Sequence, residues 1–309
     1  MPKAIEWLEK GMLYCEPYSA YELALIYLYN DEYKNVERGL MCLNRCVEDD
    51  YIQGIEGLAN IYFNGDLVPE DMNRAKELLE KAIELGSGSA AYRLGWMYER
   101  GFLSEEPDYV KAMEYYEKAA ELDNVDGYCR AALYLANGYS GVTDAVKSRE
   151  YYEKAAGMGS CFALVELSFL YENGNGVERS YEKAFELCEK AAQEGYPYAM
   201  FRVGLYLEKA VLGEAKPEEA FAWYTKAAFH PSFAPAANGV TPSRVFNFLT
   251  ASTNSSYVSG SLAPALLNNV LLQNNVIYHE NIGVEYNFPS YSNADVEPST
   301  ILDLTSSVK

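Results

Sequence analysis

Histidine is the scarcest chemistry-bearing residue of this chain, with two copies among 309 residues, His230 and His279. Neither stands in an HExxH motif or beside a nucleophile elbow, so metallopeptidase and triad-hydrolase chemistry have no anchor in the sequence. Cysteine is sparse as well. Cys15, Cys42, Cys46, Cys129, Cys161 and Cys188 contain no CxxC spacing and are too irregular for a disulfide scaffold. Cys42 and Cys46 lie four apart on one expected helix, where two buried small residues are the preferred reading over a redox or metal pair. Neither a catalytic residue nor a cofactor or metal site is expected.

Basic residues are few: 25 Lys and Arg stand against 45 Asp and Glu, a formal charge of -20. Such a surface repels phosphate backbones and anionic lipid heads, so no nucleic acid or membrane partner is expected. No run of 18 apolar residues occurs, and the opening Met1-Pro-Lys-Ala-Ile-Glu-Trp-Leu-Glu-Lys10 puts charges where a signal peptide keeps an unbroken apolar core. A soluble, cytoplasmic protein is the expectation.

Apolar residues are plentiful at 49%, enough for a substantial core in one or two domains. Tyrosine is abundant too, with 28 copies. One stretch invites a phosphate reading: Gly174-Asn175-Gly176 runs straight into an amphipathic segment. A dinucleotide fingerprint needs a third glycine three residues after the second, and Arg179 stands there. The alternative is a plain turn.

Self-similarity supports the turn. Lys81-Ala-Ile, Lys118-Ala-Ala, Lys154-Ala-Ala, Lys190-Ala-Ala and Lys226-Ala-Ala are spaced by 37, 36, 36 and 36 residues, with weaker copies at Lys10 and Arg45. Thirteen residues past this column stand Leu23, Leu58, Leu94, Ala131, Leu167 and Val203, each followed by Ala, Gly or Ser. Four further on come Tyr27, Tyr62, Tyr98, Leu135, Tyr171 and Leu207. Apolar residues four apart share one helix face, and a small neighbour lets a second helix approach closely. Each repeat is therefore a helix pair. Gly65, Gly101, Gly138 and Gly174 are placed to end the first helices in the left-handed conformation, and Asp71, Asp108 and Asp144 to cap the second ones. Each pair has an apolar face that only a neighbouring pair can bury, which predicts an all-α solenoid.

These words resemble the Sel1-like repeats, relatives of the tetratricopeptide repeats. Ala163, Leu167, Tyr171, Gly174, Gly176, Val177, Lys183-Ala184 and Lys190-Ala-Ala carry the resemblance, as do Ala90, Leu94-Gly95, Tyr98, Gly101, Asp108, Lys111-Ala112 and Lys118-Ala-Ala. It covers residues 1–229, about six repeats with an incomplete first unit, and implies a right-handed superhelix acting as adaptor or scaffold. The cysteines fall in unrelated columns, unlike the paired cysteines of some secreted members, which leaves no argument for an oxidising compartment.

In solenoids of this type the first helices line the concave side, so their non-core columns are the candidate groove. Tyr92, Arg93, Trp96, Arg100, Arg130, Asn137, Phe169, Asn173, Phe201 and Arg202 fall there. Arginine forks among aromatics suit a peptide or protein segment of acidic character. The alternative stays open: Arg93 and Arg130 pair with neighbouring Glu residues, and the aromatics pack between repeats.

The repeat grammar stops after Phe229. Residues 230–309 are rich in Asn, Ser and Pro, with two basic and five acidic residues. Leu262–Leu272 is apolar enough to cap the last repeat, and a docking module or a strap over the groove are the alternatives. The reading is a non-enzymatic adaptor; the rivals are a structural subunit of a larger complex and an enzyme subunit using His279 with Glu280 or Glu285.

Overall fold

The computed structural model describes residues 2–14 and 16–228, so the segment 230–309, with both histidines and the expected cap, lies outside the described residues. Among the described residues there are thirteen helices and no strand. A lone α1 (Pro2–Leu13) precedes six helix pairs. They are α2 (Pro17–Tyr29) with α3 (Val36–Glu48), α4 (Ile52–Asn64) with α5 (Met72–Glu84), and α6 (Gly88–Glu99) with α7 (Tyr109–Glu121). Then follow α8 (Val125–Asn137) with α9 (Ala145–Gly157), α10 (Cys161–Asn173) with α11 (Tyr181–Gln193), and α12 (Pro197–Glu208) with α13 (Pro217–Ala228). This is the all-α solenoid that the period predicts. Packing divides the chain into a unit that runs to Ala163 and a second that begins at Leu164, inside α10.

The caps fall where turn chemistry places them. Asp71, Asp108 and Asp144 accept from the backbone N–H of Arg74 (2.9 Å), Lys111 (3.0 Å) and Lys147 (2.9 Å), and Asn35 and Ser180 do the same for α3 and α11. Each satisfies one of the N–H groups left unpaired at a helix start. Gly65, Gly138 and Gly174 follow the first helices with φ of 71°, 71° and 75°. The Gly174 and Asn175 amides both donate to the Leu170 carbonyl, at 2.8 and 3.0 Å, so Gly174-Asn175-Gly176 is a helix-ending turn. Three of the first helices, α6, α8 and α10, are capped too, by Ser87, Asn124 and Ser160, which accept from Ala90, Gly127 and Ala163 N–H.

In the first unit, Leu23, Leu58 and Leu94 are fully buried and the small column beside them closes the helix pairs. A Cβ added at Gly95 would stand 2.8 Å from the Tyr116 ring and 3.1 Å from the Ala112 carbonyl. Ser148 replaces the usual Ala and ties α9 to α8 by donating to the Ala132 carbonyl at 2.8 Å. Two tyrosines of the column meet a lysine in the first turn of the following helix: Lys111 lies 5.2 Å from the Tyr98 ring, and in the second unit Lys183 lies 5.2 Å from that of Tyr171. Such contacts place a cation on the negative face of the ring.

Candidate protein-binding surface

Within the first unit, Arg130 on α8 is buried, at 8% exposure, and reaches the Glu99 carboxylate at the end of α6 at 3.6 Å. The Tyr116 hydroxyl donates to the same carboxylate, and Tyr92 packs against the Tyr116 ring at 5.6 Å. Burial alone would lower the Arg130 guanidinium, but the Glu99 charge and the Tyr92 and Tyr116 oxygens outweigh it and raise its pKa. Burial, and then Glu99, push the Tyr116 hydroxyl up. Arg130 is thus fixed in its charged form between two first helices.

The second unit repeats the device. Arg202 on α12 is 4% exposed and donates to the Glu172 carboxylate of α10 and, at 2.7 Å, to the Tyr206 hydroxyl. Tyr206 donates to the same Glu172 oxygen at 2.8 Å, and the Phe169 ring lies 3.6 Å beneath the guanidinium. Beside this cluster, burial pushes the partly buried Glu166 carboxyl up to about 7, against the opposing pull of Arg202. Phe201 is buried at 6% exposure and packs on Tyr224. Cys188 is buried and its thiol donates to Ser168 at 3.0 Å.

Arg93 differs from both. It occupies the register of Arg130 and Arg202, on α6, but the matching residue of the preceding repeat is Phe63, 30 positions earlier, where Arg130 and Arg202 meet glutamates 31 and 30 positions earlier. Its guanidinium lies 5.7 Å from the Phe63 ring, and no hydrogen bond or ion pair reaches it from the described residues. Burial lowers its pKa, with Glu56 opposing from longer range. The Glu56 carboxylate is itself occupied, accepting from Ser87 and, at 2.6 Å, from Ser89. Next to Arg93, three rings pack together: Phe63 with Trp96 at 5.7 Å, Phe63 with Phe102 at 5.2 Å, and Trp96 with Phe102 at 5.2 Å. Phe63 and Trp96 are half-buried and Phe102 is 41% exposed. One turn before Phe63, the side-chain oxygen Oδ1 of Asn60 is buried without a hydrogen-bond partner among the described residues.

The expected groove residues therefore separate. Arg93 and Trp96 share the aromatic patch, Tyr92 and Arg130 belong to the buried Glu99 cluster, and Phe169 and Arg202 belong to the Glu172 cluster. Asn137 and Asn173 are exposed at helix ends and donate to the carbonyls one turn back, Leu133 and Phe169, each at 3.0 Å. Arg100 is exposed as the C-cap of α6. Phe63, Phe102 and Asn60 escape sequence reasoning, because Phe63 replaces a glutamate of its register and Phe102 reads as a turn residue.

A cavity of about 200 Å³ also opens near the first helices, lined by Glu9, Met12, Leu23, Tyr27, Arg38, Met41 and Cys42. Its polar groups satisfy one another: Tyr27 donates to Glu9 at 3.0 Å and Arg38 to Tyr27 at 3.2 Å. Cys42 and Cys46 are buried, and burial pushes the Cys46 thiol up to about 12, which suits packing better than redox or metal chemistry. Among the described residues, no group of three or more His, Cys, Asp or Glu is placed to hold a metal ion, and no helix is long and apolar enough to cross a membrane.

Helix pairs stacked with one register, crossed by lateral arginine contacts, define an α-solenoid repeat protein. Sel1 repeats match residues 1–11, 17–45, 53–87, 88–124, 125–160, 162–196 and 197–228, and the chain belongs to the Sel1 repeat family. The seven matches are the lone α1 and the six pairs. Repeats of this family generally serve as scaffolds for protein–protein interaction. The chain is similar to the crystal structure of a Sel1 repeat protein from Oxalobacter formigenes, at 25% identity and TM-score 0.58, over 69% of this chain and 87% of that one. It is also similar to a protective antigen of uropathogenic Escherichia coli with an SLR fold, at 22% identity and TM-score 0.43, over 87% of this chain and 67% of that one.

Proposed function

We propose that the chain is a non-enzymatic, cytoplasmic adaptor that holds a peptide or protein segment on its first-helix surface. One observation carries this reading: Phe63, Trp96 and Phe102 pack into a partly exposed aromatic patch beside a guanidinium that no carboxylate of the described residues binds. Aromatic anchors with a planar donor at their edge are the residue types that concentrate binding energy at protein interfaces. The net charge of -20 favours a protein over nucleic acid as the partner. Residues 1–229 form the repeat array in this reading, and 230–309 a separate segment that caps it or regulates access.

Selection of a random peptide library on the full chain, repeated with Trp96→Ala, tests the proposal. Specific peptides whose binding falls at least about tenfold in the variant support it, since an interface aromatic contributes about 2 kcal/mol or more. Peptides that bind both proteins equally would move the interaction elsewhere. Ending the chain at Phe229 tests the tail: aggregation supports a cap, and tighter peptide binding by a folded product supports a strap.

A further inference from the structure

We infer that Arg93 reads one side-chain carboxylate of the bound segment, with an apolar residue of the same segment resting on Phe63, Trp96 and Phe102; the inference rests on the docking reading above. The repeat register supplies the argument. At two of the three positions where the register places an arginine, a glutamate 30 or 31 residues earlier neutralises it, Glu99 for Arg130 and Glu172 for Arg202. At Arg93 the register supplies Phe63 and leaves the charge half-buried, with no bonded acceptor among the described residues. A partly desolvated guanidinium is costly to leave unmatched, and a carboxylate presented by another molecule restores the pair found in the other two repeats.

The surroundings fix the kind of carboxylate. A single guanidinium offers one planar fork, and the longer-range field of Glu56 disfavours a dense acidic run, so one Asp or Glu in an otherwise weakly charged segment fits. Arg93 lies in the middle of α6, so a segment laid across it continues in both directions, which suits a side chain better than a chain terminus.

The test is an array of end-capped nonapeptides in a Gly/Ser background, each with one Glu and one Leu or Phe at separations of one to four residues. Two companion sets replace Glu with Gln, or move the carboxylate to an uncapped C-terminus. Each set is probed with the full chain, with Arg93→Gln, Arg93→Lys and Trp96→Ala, and with Arg38→Gln as a distant control. The expected result is binding of capped Glu peptides that drops about tenfold or more for the Gln set and for Arg93→Gln. Arg93→Lys falls between, because an ammonium cannot form the two-pronged contact, and Arg38→Gln leaves binding unchanged. Peptides lost on Trp96→Ala yet indifferent to Glu or Gln would overturn the carboxylate while leaving the docking surface in place. Binding of the uncapped set alone would overturn the side-chain assignment, and no peptide held above background would overturn both readings. If Arg93→Gln does not fold, the Glu and Gln sets on the unaltered protein still decide.

Discussion

Arg202 shows what a charge does once it is enclosed. Its guanidinium, the Glu172 carboxylate and the Tyr206 hydroxyl satisfy one another in a buried triangle, so removing one member leaves another stranded. Arg202→Met is expected to destabilise the protein by about 3–5 kcal/mol, whereas Arg202→Met with Glu172→Leu recovers most of that loss, as urea unfolding would measure. Glu166 makes the opposite case, a carboxyl next to an arginine already engaged. Its pKa rises from 4.5 to about 7 in the folded chain, so folding favours its protonated form. The stability it contributes is fully present below pH 4.5 and is lost as pH rises to about 7. Glu166→Gln should therefore match the parent at pH 4.5 and exceed it by roughly 1–3 kcal/mol at pH 8, with a flatter melting-temperature profile between.

At the scale of helices and turns, two glycine roles can be separated. Gly159 joins α9 to α10 with φ of 94°, and a Cβ there meets nothing within 4 Å. Gly159→Ala should cost only the left-handed backbone strain, about 1 kcal/mol. Gly95→Ala has ordinary helical backbone but drives a methyl into the Tyr116 ring, and should cost about 1–3 kcal/mol by thermal unfolding. The first role was only half legible in the sequence. Gly86, Gly159 and Gly195 share this turn position, but Asp50 and Asp123 take it with φ of 55° and 54°, and the mixed residues hide the column. Helix pairs, aspartate N-caps and the close approach at Gly95 were legible, because each follows from a local residue preference repeated in register. Pairing of Arg93 and Arg130 with neighbouring glutamates was open as an alternative, but which arginines pair was not legible, because Arg130 and Arg202 are matched by residues about 30 positions away, in the preceding repeat. No property of an arginine column alone tells which members are already matched. That distinction sets Arg93 apart, and it needed the identity of Phe63 opposite it.

For the whole molecule the governing quantity is the charge of -20, which opposes both compaction and the approach of any acidic partner. The two effects respond to salt in predictable ways. The screening length falls from about 30 Å at 0.01 M to about 8 Å at 0.15 M, so distant repulsion fades while contacts a few ångströms apart persist. The melting temperature should accordingly rise over that range, since mutual repulsion among surface carboxylates is what the added ions remove. A segment bringing one carboxylate to Arg93 faces the same field on its way in. Flanking lysines offset that field without touching the contact itself. Capped Glu peptides with two flanking lysines should thus associate about tenfold or more faster than those with two flanking glutamates at 0.01 M salt, and the gap should shrink at 0.15 M. Dissociation rates of the two should stay close, because they report the contact at Arg93 and the aromatic patch. Stopped-flow measurement of both rates at both salt concentrations checks the point. A difference confined to dissociation would mean that the flanking charges touch the protein directly, and that the site extends beyond Arg93, Phe63, Trp96 and Phe102.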